Sequence, residues 1–244
     1  MNRPGLRAVF FDFGGVLTTS PFDAFGRYEA AHGLPDGFIR RVNATDPDAN
    51  AWARLERGDL AVDAFVGAFE AECLALGHRV DGHDVLGCLR GDLRPEMVEA
   101  VRRCRRRFVT GCLTNNFGAE PAGPAGPADD DSPTDDGGPT DDGSSAGPDD
   151  DAGLAAVLDL FDVVVESRAA GVRKPERRFY ELACAAAGVR PEEAAFLDDL
   201  GVNLKPAQAM GMHTIKVTDP GRALAELAAV TGLDLADLHP PPPP

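Results

Sequence analysis

Asp12, Thr114, Lys174 and the pair Asp198-Asp199 are the residues of this chain whose types and surroundings could do chemistry on an anion. Three of these positions close a short apolar run: Ala8 to Phe11 ends on Asp12, Phe108 to Leu113 on Thr114, and Ala194 to Leu197 on Asp198-Asp199. Asp12 is followed by Gly14 and Gly15, and glycines let backbone come close to a ligand. Each residue also has a plain structural use. Asp12 and Thr114 could cap turns, Lys174 could be a surface residue beside Pro175, and Asp198-Asp199 could cap the helix that follows Gly201. Read together they form a set. Carboxylates gathered in one cleft repel each other unless a cation is present, and a hard divalent cation such as Mg²⁺ prefers oxygen ligands. Asp12 and one of Asp198 and Asp199 supply two ligands, the Gly14 carbonyl a third, and a phosphate oxygen can complete the shell. The Thr114 hydroxyl and the amides after it suit the remaining phosphate oxygens, and Lys174 adds a point positive charge. Such an assembly holds a phosphoryl group in line with the Asp12 carboxylate. Positioning and charge stabilisation do most of the work in phosphoryl transfer, and a carboxylate nucleophile forming an aspartyl-phosphate is one covalent route.

The set works only if the ends of several strands meet. The runs at residues 8–11, 108–113, 161–165, 194–197 and 213–217 read as buried strands, and helical patterns separate them. That alternation predicts an α/β fold with a parallel sheet and right-handed crossovers. In such a sheet the carboxyl ends lie on one edge, where ligands bind. Between the first strand and the rest lies a helical block. It has helical patterns at 21–32 and at 48–76, broken at Gly58, with Trp52, Leu55, Phe65, Val66 and Phe69 as core candidates. Helices are predicted at 95–107, 154–160, 177–187, 204–210 and 221–231. The arginines between 102 and 107 fall at a helix C-terminus, where they suit the dipole.

Residues 118–153 contain eleven acids, no Lys or Arg, and otherwise only Gly, Pro, Ala, Ser and Thr. Such a segment cannot bury enough apolar surface to offset its ordering entropy, so it predicts a disordered insertion. Removing its charges from the formal −16 of the chain leaves −5, so the folded part is only mildly acidic. Nucleic acid is an unsuitable partner for this charge. No apolar run approaches the length of a membrane span. The N-terminal run, interrupted at Asp12, is too short for a signal peptide. The cysteines Cys73, Cys88, Cys104, Cys112 and Cys184 lack metal-ligand spacing and read as buried thiols of a cytoplasmic protein.

Asp12-Phe13-Gly14-Gly15-Val16, Leu113-Thr114-Asn115-Asn116, Arg173-Lys174-Pro175 and Phe196-Leu197-Asp198-Asp199, in this order, resemble the motifs of the haloacid dehalogenase-like (HAD) hydrolase superfamily. The stretch from Phe196 to Ala207 and the tail from Ala223 to Leu233 are similar to the phosphatase domain of the soluble epoxide hydrolases. The Gly-Gly form of the first motif is similar to that of the HAD-like domain in the acyl-CoA dehydrogenase family member 10/11 group. The resemblance implies a Rossmann-like core from residues 1–17 and 95–235 and a small helical cap, 18–94, inserted after the first strand. The 118–153 insertion and a proline-rich tail, 236–244, lie outside it. It implies Asp12 as nucleophile and Thr114 with Asn115 as phosphate binders. Lys174 would stabilise the phosphoryl charge. Asp198 and Asp199 would hold Mg²⁺, with Asp199 the direct ligand, and Asn203 would line the site. The expected substrate is a small phosphomonoester.

One position departs from the pattern. Phosphatases of the family usually carry a second Asp two residues after the nucleophile, as general acid and base, and here that residue is Gly14. A second reading is therefore a non-catalytic HAD fold that binds a phosphorylated metabolite or a partner protein. A third, weaker reading is a dehalogenase, against which the acidic pair Asp198-Asp199 argues.

Overall fold

The computed structural model describes residues 5–115 and 148–238. Its elements run β1 (Ala8–Phe11), α1 (Pro21–Ala31), α2 (Phe38–Ala44), α3 (Ala51–Arg57), α4 (Val62–Ala75), α5 (Gly82–Gly87), α6 (Pro95–Cys104), β2 (Val109–Thr114), α7 (Pro148–Leu158), β3 (Val163–Glu166), α8 (Ser167–Ala170), α9 (Arg177–Ala187), β4 (Ala194–Asp198), α10 (Gly201–Ala209), β5 (His213–Lys216) and α11 (Pro220–Thr231).

The strands form one parallel sheet in the order β3-β2-β1-β4-β5. The chain builds one side of the sheet from β1 outward through β2 and β3, then returns to place β4 on the other side of β1. This reversal opens a crevice at the carboxyl ends of β1 and β4. β1 is buried on both faces, which its unbroken apolar run requires. Val9 and Phe11 pack with Met97, Val98 and Val101 of α6 and Leu224 and Leu227 of α11. Ala8 and Phe10 pack on the opposite face with Phe179, Tyr180 and Ala183 of α9 and Leu204 and Ala207 of α10. The period of two along the strand thus feeds two cores, one on each side of the sheet.

Helices α1 to α5 enclose a third core of their own, with Phe25, Phe38, Ile39, Trp52, Leu55, Phe65, Phe69 and Val85. Acidic side chains fix its helix ends. The buried Glu29 accepts from the amides of Gly37 and Ile39 at the start of α2, both at 2.8 Å. Glu72 accepts from Ala51 N at 2.7 Å, and Asn50 from Ala53 N at 2.9 Å, at the start of α3. These bonds satisfy amides that have no partner within their own helix. Gly58, left-handed at φ 81°, ends α3 where the sequence predicted the break.

Several boundaries differ from the sequence expectation. Residues 118–147 of the expected insertion fall within the segment outside the described residues. Its last part does not extend to Gly153 as irregular chain, because α7 starts at Pro148 rather than near Leu154. The local chemistry accounts for this. Proline followed by acidic residues is a sequence signal for a helix start. α6 stops at Cys104, so only Arg102 and Arg103 lie in its last turn, and Arg105 to Arg107 follow it. α10 starts at Gly201 rather than Leu204, with Pro206 inside it. The short helices α2, α5 and α8 carry too few turns to show a period in the sequence. Part of the expected tail, Ala236–Leu238, forms a 3₁₀ turn, and residues 239–244 lie outside the described residues. Among the described residues no helix is long and apolar enough to cross a membrane. The five cysteines are free thiols, all buried except the partly buried Cys88.

Candidate active site

Parallel pairing brings the two carboxyl ends together. β1 and β4 align Phe11 with Leu197, so the next residues, Asp12 and Asp198, emerge side by side from the sheet edge. The ladder continues one bond further, from Asp12 N to Leu197 O at 2.8 Å. β2 lies on the other flank of β1 and ends on the buried Thr114.

Lys174 enters this cluster from the loop between α8 and α9. Its Nζ lies 2.7 Å from Asp12 Oδ1 and 2.9 Å from Asp198 Oδ2, and the side chain is 1% exposed. A buried ammonium holds its charge only when paired. Burial alone would lower its pKa, but the Asp12 and Asp198 carboxylates outweigh burial and raise it. Asp12 Oδ1 also accepts from Phe13 N at 2.7 Å. Its Oδ2 carries no hydrogen bond among the described residues. Burial raises the Asp12 pKa well above the ordinary carboxylate range, Lys174 opposes this, and Asp198 and Asp199 add to it.

Both Asp198 oxygens are engaged. Oδ1 accepts from Leu200 N at 2.8 Å, Oδ2 from Lys174, and both from Asn203 Nδ2 at 3.1 Å. Asn203 is held in turn by Tyr180, whose hydroxyl donates to the Asn203 carbonyl at 2.7 Å. Burial, and then the Asp198 charge, push the Asp199 carboxyl up to about 6.

Asp12, Asp198 and Asp199 offer one oxygen each, all within 4.8 Å of one another. Three carboxylates share a single ammonium, and two of them are raised by burial and mutual repulsion. This hard-oxygen set fits a divalent cation such as Mg²⁺. Asp12 and Asp199 are the members with oxygens to spare, whereas Asp198 is consumed in holding Lys174 and Asn203.

The two glycines after Asp12 differ. Gly15 is left-handed at φ 75°, and a Cβ there would run into the Asp199 carboxylate. Arg94 Nη1 holds the Gly15 carbonyl at 2.7 Å. A Gly15→Ala variant is expected to lose about 1–3 kcal/mol of stability through strain and overlap, read as a lower urea midpoint. A Cβ at Gly14 would meet nothing within 4 Å.

Asn115 sits just past β2 and links two parts of the site. Its Oδ1 accepts from Lys174 N at 2.9 Å and its Nδ2 donates to Lys174 O at 3.0 Å. Nδ2 also lies 3.2 Å from Glu56 Oε2, on α3. The structure thus brings Asp12, Lys174, Asn115, Asp198, Asp199 and Asn203 together and ends β2 on Thr114 beside them. The sequence reading named Arg173 only as part of the Arg173-Lys174-Pro175 motif, with no role, and missed Glu56 and Arg94. Both lie among many charged residues of helical or loop segments, and no spacing sets them apart.

The sequence model of the haloacid dehalogenase-like hydrolases matches residues 6–211. The chain is 32% identical over 235 residues to acyl-CoA dehydrogenase family member 10 of Mus musculus, across 94% of this chain and 19% of that protein. It is 29% identical over 251 residues to bifunctional epoxide hydrolase 2 of Sus scrofa, across 98% of this chain and 41% of that protein. The chain therefore spans well under half the length of these two relatives. It is 25% identical over 231 residues to sesquiterpene phosphatase astK of Aspergillus oryzae, covering 93% of this chain and 97% of that one. A HAD family enzyme of Bacteroides thetaiotaomicron, solved in complex with magnesium and inorganic phosphate, shares the fold. Its TM-score is 0.53 and its identity 16%, over 87% of this chain and 94% of that one.

Proposed function

The chain belongs to the haloacid dehalogenase-like hydrolase family, and from that premise we propose that it is a Mg²⁺-dependent phosphatase of small phosphomonoesters. The observation that carries this reading is the buried Asp12–Lys174–Asp198 pairing with Asp199 beside it, at the crevice between β1 and β4. Asp12 Oδ2 attacks phosphorus, and the bond from phosphorus to the leaving oxygen breaks with its electron pair on that oxygen. Water then cleaves the aspartyl-phosphate and restores the carboxylate. Lys174 Nζ neutralises charge on the phosphoryl oxygens, and the Thr114 hydroxyl with the backbone N–H of Asn115 orients them. Asp198 and Asn203 keep Lys174 in place. Asp12, Asp199 and the Gly14 carbonyl would hold Mg²⁺, which supplies positive charge for the phosphoryl group.

Gly14 leaves the leaving oxygen without the usual acid, so substrates with good leaving groups react best. The Aspergillus oryzae relative, which the chain matches over nearly its whole length, is named a phosphatase, and this supports the reaction class. The free, mostly buried thiols support a reducing compartment such as the cytoplasm.

The test is hydrolysis of p-nitrophenyl phosphate with Mg²⁺, after chelation, and after Mg²⁺ is restored. Turnover is expected to fall to background on chelation and to return with the metal. Absence of turnover with every divalent metal would favour the second reading, to which Gly14 points: a HAD fold that binds a phosphorylated metabolite or a partner without hydrolysing anything.

A further inference from the structure

Glu56 belongs to the helical region, yet its side chain bonds to both loops of the site in the core. Oε2 lies 2.8 Å from Arg173 Nε and 3.2 Å from Asn115 Nδ2. Arg173 Nε also donates to Lys174 O, at 3.2 Å. Asn115 closes the network by bonding both the N–H and the carbonyl of Lys174. The single Arg173 Nε–H is thus shared between Glu56 Oε2 and Lys174 O. The Asn115 amide has one consistent orientation, with its oxygen on the Lys174 N–H and its two protons shared between Lys174 O and Glu56.

Glu56 is also held in place from its own side. α3 is capped at its start by Asn50 and by Glu72 of α4. At its end Gly58 lets the Arg168 side chain of α8 pack close, where a Cβ would come within 3.0 Å of Arg168 Cγ. The Glu56 and Arg173 side chains are 18% and 16% exposed.

We propose that Glu56 is a positioning residue: its carboxylate, carried on α3, sets the Asn115 side chain and the Lys174 backbone, and so couples the helical region to the phosphate-binding loops. This rests on the phosphatase reading of the same site. The charged groups around Glu56 are Arg173 and Lys174 in the loop after α8, Arg168 on α8, and Arg57 on its own helix. Arg57 is already paired with Glu176 at 2.9 Å. Glu72, from α4, is bonded to the far end of α3. Burial pushes the Glu56 carboxyl up to about 7, against the pull of Arg173, then Lys174 and Arg57. The ion pair with Arg173 is therefore complete above neutrality and weakens as the pH falls through 7.

The experiment compares wild type with Glu56→Gln, using p-nitrophenyl phosphate at saturating Mg²⁺ from pH 5 to 9. The Asn115 side-chain NH₂ resonance is followed by NMR over the same range. In wild type, kcat/KM is expected to rise through about pH 7, and the Asn115 signal to shift with the same midpoint. In Glu56→Gln both changes disappear near pH 7, and kcat/KM at pH 8 drops about tenfold, the scale of a charge-assisted hydrogen bond. A purely structural glutamate would lower stability and leave the pH limb in place. If Glu56→Gln does not fold, Glu56→Asp takes its place, with the limb kept and the rate lowered. Wild-type turnover with an unaltered pH profile in the variant overturns this inference and leaves the phosphatase reading standing. Absence of wild-type turnover overturns both.

Discussion

An Asp12→Asn variant is expected to lose aryl-phosphate turnover by about 10⁴-fold or more while remaining folded. Asparagine has the shape of the aspartate, and its carbonyl oxygen can keep the bond from Phe13 N. It has no charged oxygen with which to attack phosphorus. The electrostatics predict an opposite effect on stability. The Asp12 pKa is raised by burial and by Asp198 and Asp199, with Lys174 acting against them. A carboxyl whose folded pKa lies above its unfolded value favours folding when protonated, and that contribution is lost as pH rises through the folded pKa. Without metal, holding Asp12 ionised therefore weighs against the fold. An uncharged side chain at that position removes this penalty. The metal-free variant should have a urea midpoint equal to or above that of metal-free wild type. The gap should close when Mg²⁺ is added, because only wild type gains the full charge compensation. Aryl-phosphate turnover that persists in a folded Asp12→Asn variant would assign Asp12 to the scaffold rather than to the chemistry.

The parts of this site that were legible in the sequence are those fixed by the sheet. A parallel sheet puts the carboxyl ends of its strands on one edge, so Asp12, Thr114 and Asp198 converge wherever β1, β2 and β4 are read correctly. Lys174 was legible as part of an ordered set of motifs, although its loop gives no periodic signal. Glu56 was not legible. It lies on a seven-residue helix among Arg54, Arg57 and Asp59, and only the packing of α3 against α8 makes it differ from an ordinary solvated acid. The start of α7 was misread for a related reason. Composition across a window marked Pro148 to Gly153 as irregular, while a proline followed by three aspartates is locally a good helix start. Composition describes what a segment can bury, and capping chemistry decides where a helix begins.

Gly14→Asp is expected to raise kcat/KM for an alkyl phosphate by about 10²–10⁴-fold, the usual scale of general acid–base help, with a much smaller gain for p-nitrophenyl phosphate. A Cβ at position 14 meets nothing within 4 Å, and the backbone there is not left-handed, so the side chain can be built without displacing a neighbour. The same addition at Gly15 would collide with Asp199. A new carboxyl at position 14 stands two residues from Asp12, beside a cluster that already holds three acids. Like charges raise its pKa, which keeps it protonated nearer neutrality and able to donate to a leaving alkoxide. A nitrophenolate leaves without a proton and gains little. The ratio of alkyl to aryl kcat/KM, measured in both proteins, therefore isolates proton donation from changes in binding or folding. Where the new carboxyl is ionised it adds negative charge to the cluster, so the variant should need no more Mg²⁺, and above its pKa less, for half-maximal activity. If the alkyl-to-aryl ratio does not move while aryl turnover persists, the leaving group already receives its proton from another residue in wild type. Glycine at position 14 then sets no limit on the range of substrates.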